Sequence, residues 1–336
     1  MARYLVTGGC GFIGSHLVEA LWRRGDDVRV LDDLSTGTPA YLPPGVELIR
    51  GDVADPRTVA VGMAEVEGCF HLAAVASVVR SNEDWLGTHR TNLSGTIAVL
   101  DAARRAPLPV VFASSAAVYG DGLDLPLAED CRAQPLTAYG ADKLGCELHG
   151  VVAGRVHGVP TCGLRFFNVY GPRQDPRSPY SGVISTFCDR LRAGRPIAIH
   201  GDGRQQRDFV YVGDVVRALL AAMDVCTPAG EVVNVCTGTA TTIIALAQAI
   251  GELLGVTPQI AHAPARAGDI RCSVGDAAKA RRLLGFAAAT DLATGLELTL
   301  RSLEAAPLPG GAVRPRPLRW RFPDTSDKPA AARPQG

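Results

Sequence analysis

Tyr139 and Lys143 stand four residues apart in the run Ala138-Tyr139-Gly140-Ala141-Asp142-Lys143. On a helix that step places the phenol and the ammonium on one face, one turn apart. A free tyrosine has a pKa of roughly 10, and a lysine cation held close favours the phenolate, so the pair can supply a base at neutral pH. A third group comes from Val111-Phe112-Ala113-Ser114-Ser115, an apolar strand that ends in two hydroxyls. Ser115, 24 residues before Tyr139, can hydrogen-bond a substrate hydroxyl and orient its proton toward the phenolate. Taken alone, a Tyr-x-x-x-Lys spacing is also met as two solvated residues on a surface helix, and a Ser-Ser as a strand-end cap. The chemistry therefore depends on what the rest of the chain places beside these residues.

The positioning elements begin at the first residues. Arg3 to Val6 reads as a short strand running into Thr7-Gly8-Gly9-Cys10-Gly11-Phe12-Ile13-Gly14, and Ser15 to Arg24 reads as an amphipathic helix ending at Gly25. In such a loop Gly8 permits the tight turn, Gly11 lets the backbone approach a pyrophosphate, and Gly14 lets helix and strand pack closely. The anion then sits on the helix N-terminus. Val28 to Asp32 follows as a second strand ending in a carboxylate, 18 residues after Gly14. An acid there hydrogen-bonds a ribose 2′-hydroxyl and repels a 2′-phosphate, which selects NAD over NADP.

Further strands are expected at 46–50, 69–73, 109–114 and 161–165, besides 3–7 and 27–31. Their alternation with helical stretches implies an α/β fold of the Rossmann type, a doubly wound parallel sheet. Asp52 at the end of the third strand can reach an adenine edge or cap the next helix. His71-Leu72-Ala73-Ala74 closes the fourth, where small residues let a cofactor lie against the backbone; His71 itself reads as a packed residue. From residue 170 the texture changes, with Pro172, Pro176, Pro179 and Pro196 interrupting short segments. We expect an NAD-binding domain over 1–169, with segments near 205–235 returning to it. A smaller, mainly substrate-binding C-terminal lobe follows over 170–304. The Pro-rich tail over 305–336 has little to bury and is expected to be partly flexible.

Composition limits the alternatives. With 34 Lys+Arg against 34 Asp+Glu, no basic surplus points to nucleic acid or an anionic membrane. No apolar run reaches the roughly 20 residues that span a bilayer, and a glycine loop occupies the stretch where a signal peptide would lie. A cytoplasmic protein is expected. The nine cysteines, scattered without a C-x-x-C pair, suit reduced thiols better than disulfides or zinc, so no metal is expected.

These motifs together resemble the extended short-chain dehydrogenase/reductase family and, within it, the nucleotide-sugar 4-epimerases of the UDP-glucose and UDP-N-acetylglucosamine type. The resemblance continues through Leu164-Arg165-Phe166-Phe167-Asn168-Val169-Tyr170-Gly171-Pro172, Gly201-Asp202-Gly203, Arg207 to Val212 and Arg266-Ala267-Gly268-Asp269-Ile270. It implies Ser115, Tyr139 and Lys143 as the catalytic set. The NAD contacts it implies are Gly8, Gly11, Phe12, Ile13, Gly14, Asp32, Asp33, Asp52, Val53, Ala73, Asn92, Tyr139, Lys143 and Phe166. Asn168 would face the sugar diphosphate, Arg207 and Arg266 would bind the phosphates, and Asp269 the uridine ribose. Arginine is also the residue suited to clamp two phosphates bidentately, which supports that reading on charge alone.

The resemblance further implies a UDP-sugar substrate, oxidation at C4 to a 4-ketose, rotation of the keto sugar, and return of hydride to the other face. The family's 4,6-dehydratases carry an Asp-Glu pair beside the catalytic hydroxyl; this chain has Ala116 and Ala117 there, which disfavours dehydration. Ser273 stands where a bulky aromatic would restrict the sugar pocket, and Gly182 on the opposite wall is also small, so an N-acetyl group at C2 has room. Three readings stay open besides: a UDP-glucuronate epimerase, a 4-keto reductase and a non-catalytic NAD sensor. A homodimer is expected through the apolar stretches 93–103 and 140–153.

Overall fold

The computed structural model describes residues 1–122, 124–176, 181–265 and 270–304. Arg266, Asp269 and the Pro-rich tail therefore lie outside the described residues. The first half alternates as the sequence implies. β1 (Arg3–Thr7) runs into α1 (Phe12–Arg24), followed by β2 (Asp27–Asp32), β3 (Glu47–Arg50), α2 (Pro56–Gly62) and β4 (Gly68–His71). Three helices come next, α3 (Val78–Glu83), α4 (Trp85–His89) and α5 (Gly95–Ala103), then β5 (Val110–Ser115), α6 (Ala138–His157) and β6 (Thr161–Phe166). The second half is more broken: β7 (Asn168–Tyr170), α7 (Val183–Arg192), β8 (Ile197–His200), β9 (Gln206–Arg207), β10 (Phe209–Tyr211) and α8 (Val212–Val225). It ends with β11 (Glu231–Val235), β12 (Thr241–Thr242), α9 (Ile243–Leu254), β13 (Ile260–Ala263), β14 (Cys272–Ser273), α10 (Ala278–Leu284) and α11 (Leu292–Glu304).

Seven strands form one sheet in the order β11-β6-β5-β4-β1-β2-β3, every neighbouring pair parallel. β4 and β6 are buried at every residue, as strands covered on both faces must be. Leu17, Val18 and Leu21 of α1 share one core with Val215, Leu219 and Ala222 of α8. Val59, Val99, Leu100 and Ala153, from α2, α5 and α6, form the core on the other face. The chain leaves β1 toward β2 on one side and toward β4 on the other. That reversal opens a crevice at the carboxyl ends of β1 and β4, where doubly wound sheets bind ligands.

A separate core lies within the second half of the chain. Ile184, Phe187 and Leu191 of α7 pack with Ile197, Phe209, Leu246, Ile250 and Leu296. α8 packs with α1 in the core of the large sheet and β11 pairs with β6 at that sheet's edge, so the later chain contributes to both cores.

Candidate active site

The glycine loop, Asp32 and Ser115 sit at the carboxyl ends of β1, β2 and β5. After β1 the chain turns at Gly8, whose φ is +70° and whose amide donates to Leu31 O at 2.8 Å. A Cβ on Gly14 would stand 2.1 Å from Gly8 O, so only glycine allows α1 to start this close to the turn. At Gly11, the residue capping α1, a Cβ would meet only Gly8 O at 3.2 Å. That contact is tight, but the backbone of this turn is otherwise open toward the cleft.

Asp32 ties this loop to the end of β2. Its Oδ2 accepts from the Cys10 amide at 2.9 Å and its Oδ1 from the Leu34 amide at 2.8 Å. Burial pushes its carboxyl up from the ordinary value, against the pull of those two amides. These two bonds set the shape of the glycine loop, apart from the ribose contact expected of Asp32. Cys10 is a filler, its thiol buried and pushed up to about 12 by burial and by the Asp32 charge.

Behind the loop, His71 bridges Thr7 Oγ1 at 2.8 Å and Thr96 Oγ1 at 3.0 Å. Burial, with the Lys143 charge, lowers its pKa to about 3, so it is a neutral cross-brace. Thr7 Oγ1 also accepts from the Leu72 and Ala73 amides at 3.2 and 3.1 Å, drawing the chain after β4 against the glycine turn.

Ser115, Tyr139 and Lys143 are set by β5 and α6. Thr137 caps α6 by accepting from the Gly140 amide at 3.1 Å, which starts the helix one residue before Tyr139. Lys143 donates through Nζ to Ala113 O at 2.8 Å and lies 5.8 Å from the centre of the Tyr139 ring. Ser115 Oγ accepts from the Ala117 amide at 3.1 Å, leaving its hydrogen free for a ligand oxygen.

A single cleft of about 490 Å³ joins these parts. Along it lie Gly8, Gly11, Phe12, Ile13, Gly14, Asp32, Asp33, Asp52, Val53 and Ala73 from the cofactor set, followed by Ser115, Tyr139, Lys143, Phe166, Asn168 and Gly182. Asp52 does not cap α2, a role taken by Asp55; it turns its Oδ1 to the Ala54 amide at 2.8 Å and pairs with Arg90 at 2.8 Å.

Three expected contacts fall elsewhere among the described residues. Asn92 is buried outside the lining and spends its amide on Val75, accepting from its N–H at 2.8 Å and donating to its carbonyl at 3.3 Å. It shapes the loop along the cleft from one layer behind. Arg207 and Ser273 are partners across the β9–β14 pair, outside the cleft lining. Arg207 Nη1 donates to Gln206 O at 2.9 Å and Ile270 O at 2.8 Å, and Ser273 is buried. Gly182 lines the cleft, yet the space beside its missing Cβ is taken by the Gln174 amide, 3.1 Å away.

The structure also brings in residues that sequence reasoning passed over. Arg80, Arg173, Gln174 and Asp175 line the cleft. Arg173 has φ of +68°, pairs with Glu19 of α1 and stacks 5.1 Å from the Tyr41 ring centre. His16 of α1 bonds Pro172 O at 2.9 Å, so the loop after β7 is fastened to the glycine-loop helix. The Gly171-Pro172 turn marked this loop, but nothing local showed which helix it would meet.

Comparison with known proteins agrees with this geometry. The chain belongs to the NAD dependent epimerase/dehydratase family, whose profile matches residues 4–236. It is 37% identical over 309 residues to the UDP-glucose 4-epimerase of Mycolicibacterium smegmatis, covering 89% of this chain and 97% of that one. It is 34% identical over 270 residues to a UDP-N-acetyl-alpha-D-glucosaminuronate decarboxylase of Bacillus cytotoxicus, covering 78% and 83%. The crystal structure of the Thermotoga maritima UDP-glucose 4-epimerase with UDP-glucose superposes with a TM-score of 0.87 at 35% identity, covering 90% of this chain and 98% of that one. The protein is thus an NAD-dependent enzyme. The bare backbone at Gly11 and the acid at the end of β2 fit that cofactor.

Proposed function

We propose that this enzyme interconverts the C4 epimers of a UDP-sugar, with UDP-glucose and UDP-galactose as the primary pair. The observation that carries the reading is that one cleft holds the glycine loop and the Ser115, Tyr139 and Lys143 side chains together. Bound NAD supplies the acceptor and donor of hydride. The chain handles the proton: Lys143, buried and anchored on Ala113 O, favours the Tyr139 phenolate, which takes the C4 hydroxyl proton and later returns it. Ser115, with its oxygen fixed by the Ala117 amide, orients that hydroxyl. Ala116 and Ala117 occupy the short 3-10 turn after Ser115 and offer no acid or base for water elimination.

The reading extends to the rest of the site. Arg266 and Asp269 bind the nucleotide diphosphate and ribose, and Asn168, on the cleft lining, faces the diphosphate; Arg207 joins them only by turning from Gln206 O and Ile270 O toward the cleft. Ser273 is buried outside the cleft lining and Gln174 fills the space beside Gly182, so these two positions do not supply the room that the N-acetyl group of UDP-N-acetylglucosamine needs, and Ser273→Tyr should leave the activity on UDP-glucose unchanged. A homodimer is supported by apolar side chains exposed on adjacent helices, Trp85 and Leu86 on α4, Ile97 on α5, and Leu148, Val152 and Val156 on α6. All nine cysteines are free thiols, and among the described residues no helix is long and apolar enough to cross a membrane; we place the enzyme in the cytoplasm.

The test is to mix purified protein with UDP-glucose and follow product by NMR and NADH by absorbance. UDP-galactose without net NADH is the expected result. Net NADH, or release of CO2 from a UDP-uronic acid in place of epimerisation, overturns the assignment.

A further inference from the structure

Glu147 stands one turn beyond Lys143 on the helix face that carries Tyr139, so a carboxylate follows the phenol and the ammonium at the same four-residue step. An acid at that position would draw on the Lys143 charge that Tyr139 needs. The structure shows where its charge goes instead. Arg165 of β6 donates Nε to Glu147 Oε1 and Nη2 to Oε2, each at 2.8 Å. Ser114 of β5 adds a third donor to Oε1 at 2.5 Å. Glu147 and Arg165 are 4% and 5% exposed, and the guanidinium is braced by Glu129 O at 3.1 Å and by the Tyr119 ring, 4.7 Å from its centre. Lys143 and Glu147 thereby bond to consecutive residues of β5, Ala113 and Ser114, immediately before Ser115.

We propose that Glu147 and Arg165 form a positioning pair: Arg165 claims both Glu147 oxygens so that Lys143 keeps its charge for Tyr139, and the Ser114–Glu147 bond sets the register of α6 on β5. The inference rests on Tyr139 acting as the base of the proposed reaction. Other charged or titratable groups surround the phenol and the ammonium. They are His71 from β4, Cys146 and the Asp142–His89 pair joining α6 to α4. Arg80 of α3 and Asp175 of the loop after β7 share the cleft. The substitutions below leave all of these in place.

The pH dependence of kcat/KM, measured on full-length NAD-loaded enzyme with UDP-glucose, separates a charge role from a structural one, because its acid limb reports deprotonation of the base. Glu147→Gln keeps the side-chain shape and leaves the Arg165 cation unbalanced, which favours the phenolate, so the acid limb moves to lower pH by about one unit. Arg165→Met leaves the carboxylate unbalanced and moves the limb to higher pH. The double variant returns it to the wild-type position, and Ser114→Ala lowers kcat without moving it. Shifts of the same sign in both single variants overturn the proposal, as does a Glu147→Gln limb superimposable on wild type. If Arg165→Met does not fold, Glu147→Gln alone decides. Tyr139→Phe separates the two levels: an active Tyr139→Phe enzyme removes the underlying reading. An inactive one beside an unmoved Glu147→Gln limb removes only the pair.

Discussion

Lys143 reaches from α6 to the carbonyl of Ala113 on β5, a 2.8 Å bond that fixes the ammonium 5.8 Å from the centre of the Tyr139 ring. The same strand delivers Ser115 two residues later, so one hydrogen bond ties the strand that carries Ser115 to the helix that carries Tyr139 and Lys143. A surface lysine would be screened by water; this one is 4% exposed and acts through a low-dielectric path.

Removing either partner should therefore stop turnover, and removing the Tyr139 hydroxyl should do so without unloading the cofactor. Tyr139→Phe deletes the proton acceptor and keeps the ring, and we expect kcat to fall by about 10²–10⁴-fold, the usual weight of a positioned acid or base. Lys143→Met should lower kcat and raise the pH at which the remaining activity appears. Steady-state assays and the NAD content of the purified variants check both.

The glycine loop offers a sharper contrast. A Cβ on Gly14 would lie 2.1 Å from Gly8 O, backbone against backbone, and no side-chain movement relieves it. Gly14→Ala should cost several kcal/mol, on the scale of severe overpacking, and yield little folded protein. At Gly11 the nearest atom is 3.2 Å away, so Gly11→Ala should fold, with a melting temperature close to wild type and much weaker NAD binding by calorimetry.

That contrast shows what was legible beforehand. The glycine spacing, Asp32 and the six expected strands lie close in sequence, and the observed strands match them within one or two residues at each end. Local pattern carries such elements because periodicity and turn chemistry act over a few residues. Asn92 is expected to contact the cofactor, and its amide holds Val75 from outside the cleft lining. Arg173 was passed over, though Glu19 and Tyr41 draw it to the cleft. Both outcomes depend on which distant element packs nearby, information that spacing along the chain does not contain. Ser273 and Arg207 share the lesson: adjacent strands β9 and β14 unite them 66 residues apart in sequence, away from the cleft lining.

Acid should destabilise the fold through two buried histidines. His71 is lowered to about 3 by burial and by Lys143, and His16 to about 4 by burial and by Arg173, despite its bond to Pro172 O. Both are neutral when folded, while the unfolded chain binds their protons below about pH 6.5. The unfolded state thus holds more protons between pH 6.5 and 4, and stability falls as pH falls through that window. Each histidine accounts for about 2 kcal/mol at pH 5, since a pKa unit is worth about 1.4 kcal/mol. Thermal melts should show the loss, and His71→Asn, which carries no titrating group, should flatten the slope even if it lowers the melting temperature at pH 8.

The apolar face of α6 gives the last prediction. Leu148, Val152 and Val156 repeat at four-residue steps and are exposed, while Tyr139, Lys143 and Glu147 repeat on the other side of the helix, turned toward β5. Nine residues separate Tyr139 from Leu148, two and a half turns at 3.6 residues each, which places the two rows on opposite faces. Trp85, Leu86 and Ile97 continue the outer surface on neighbouring helices. Exposed apolar side chains on three neighbouring helices suit an association surface, and a two-fold contact would let the same patch meet itself. Two carboxylates introduced there, Leu148→Glu with Val152→Glu, would face their own images and repel without touching the catalytic row. Light scattering should report a dimer for the wild type and half that mass for the double variant, with epimerase activity per chain within a few-fold; an unchanged mass in both would remove this face as the interface.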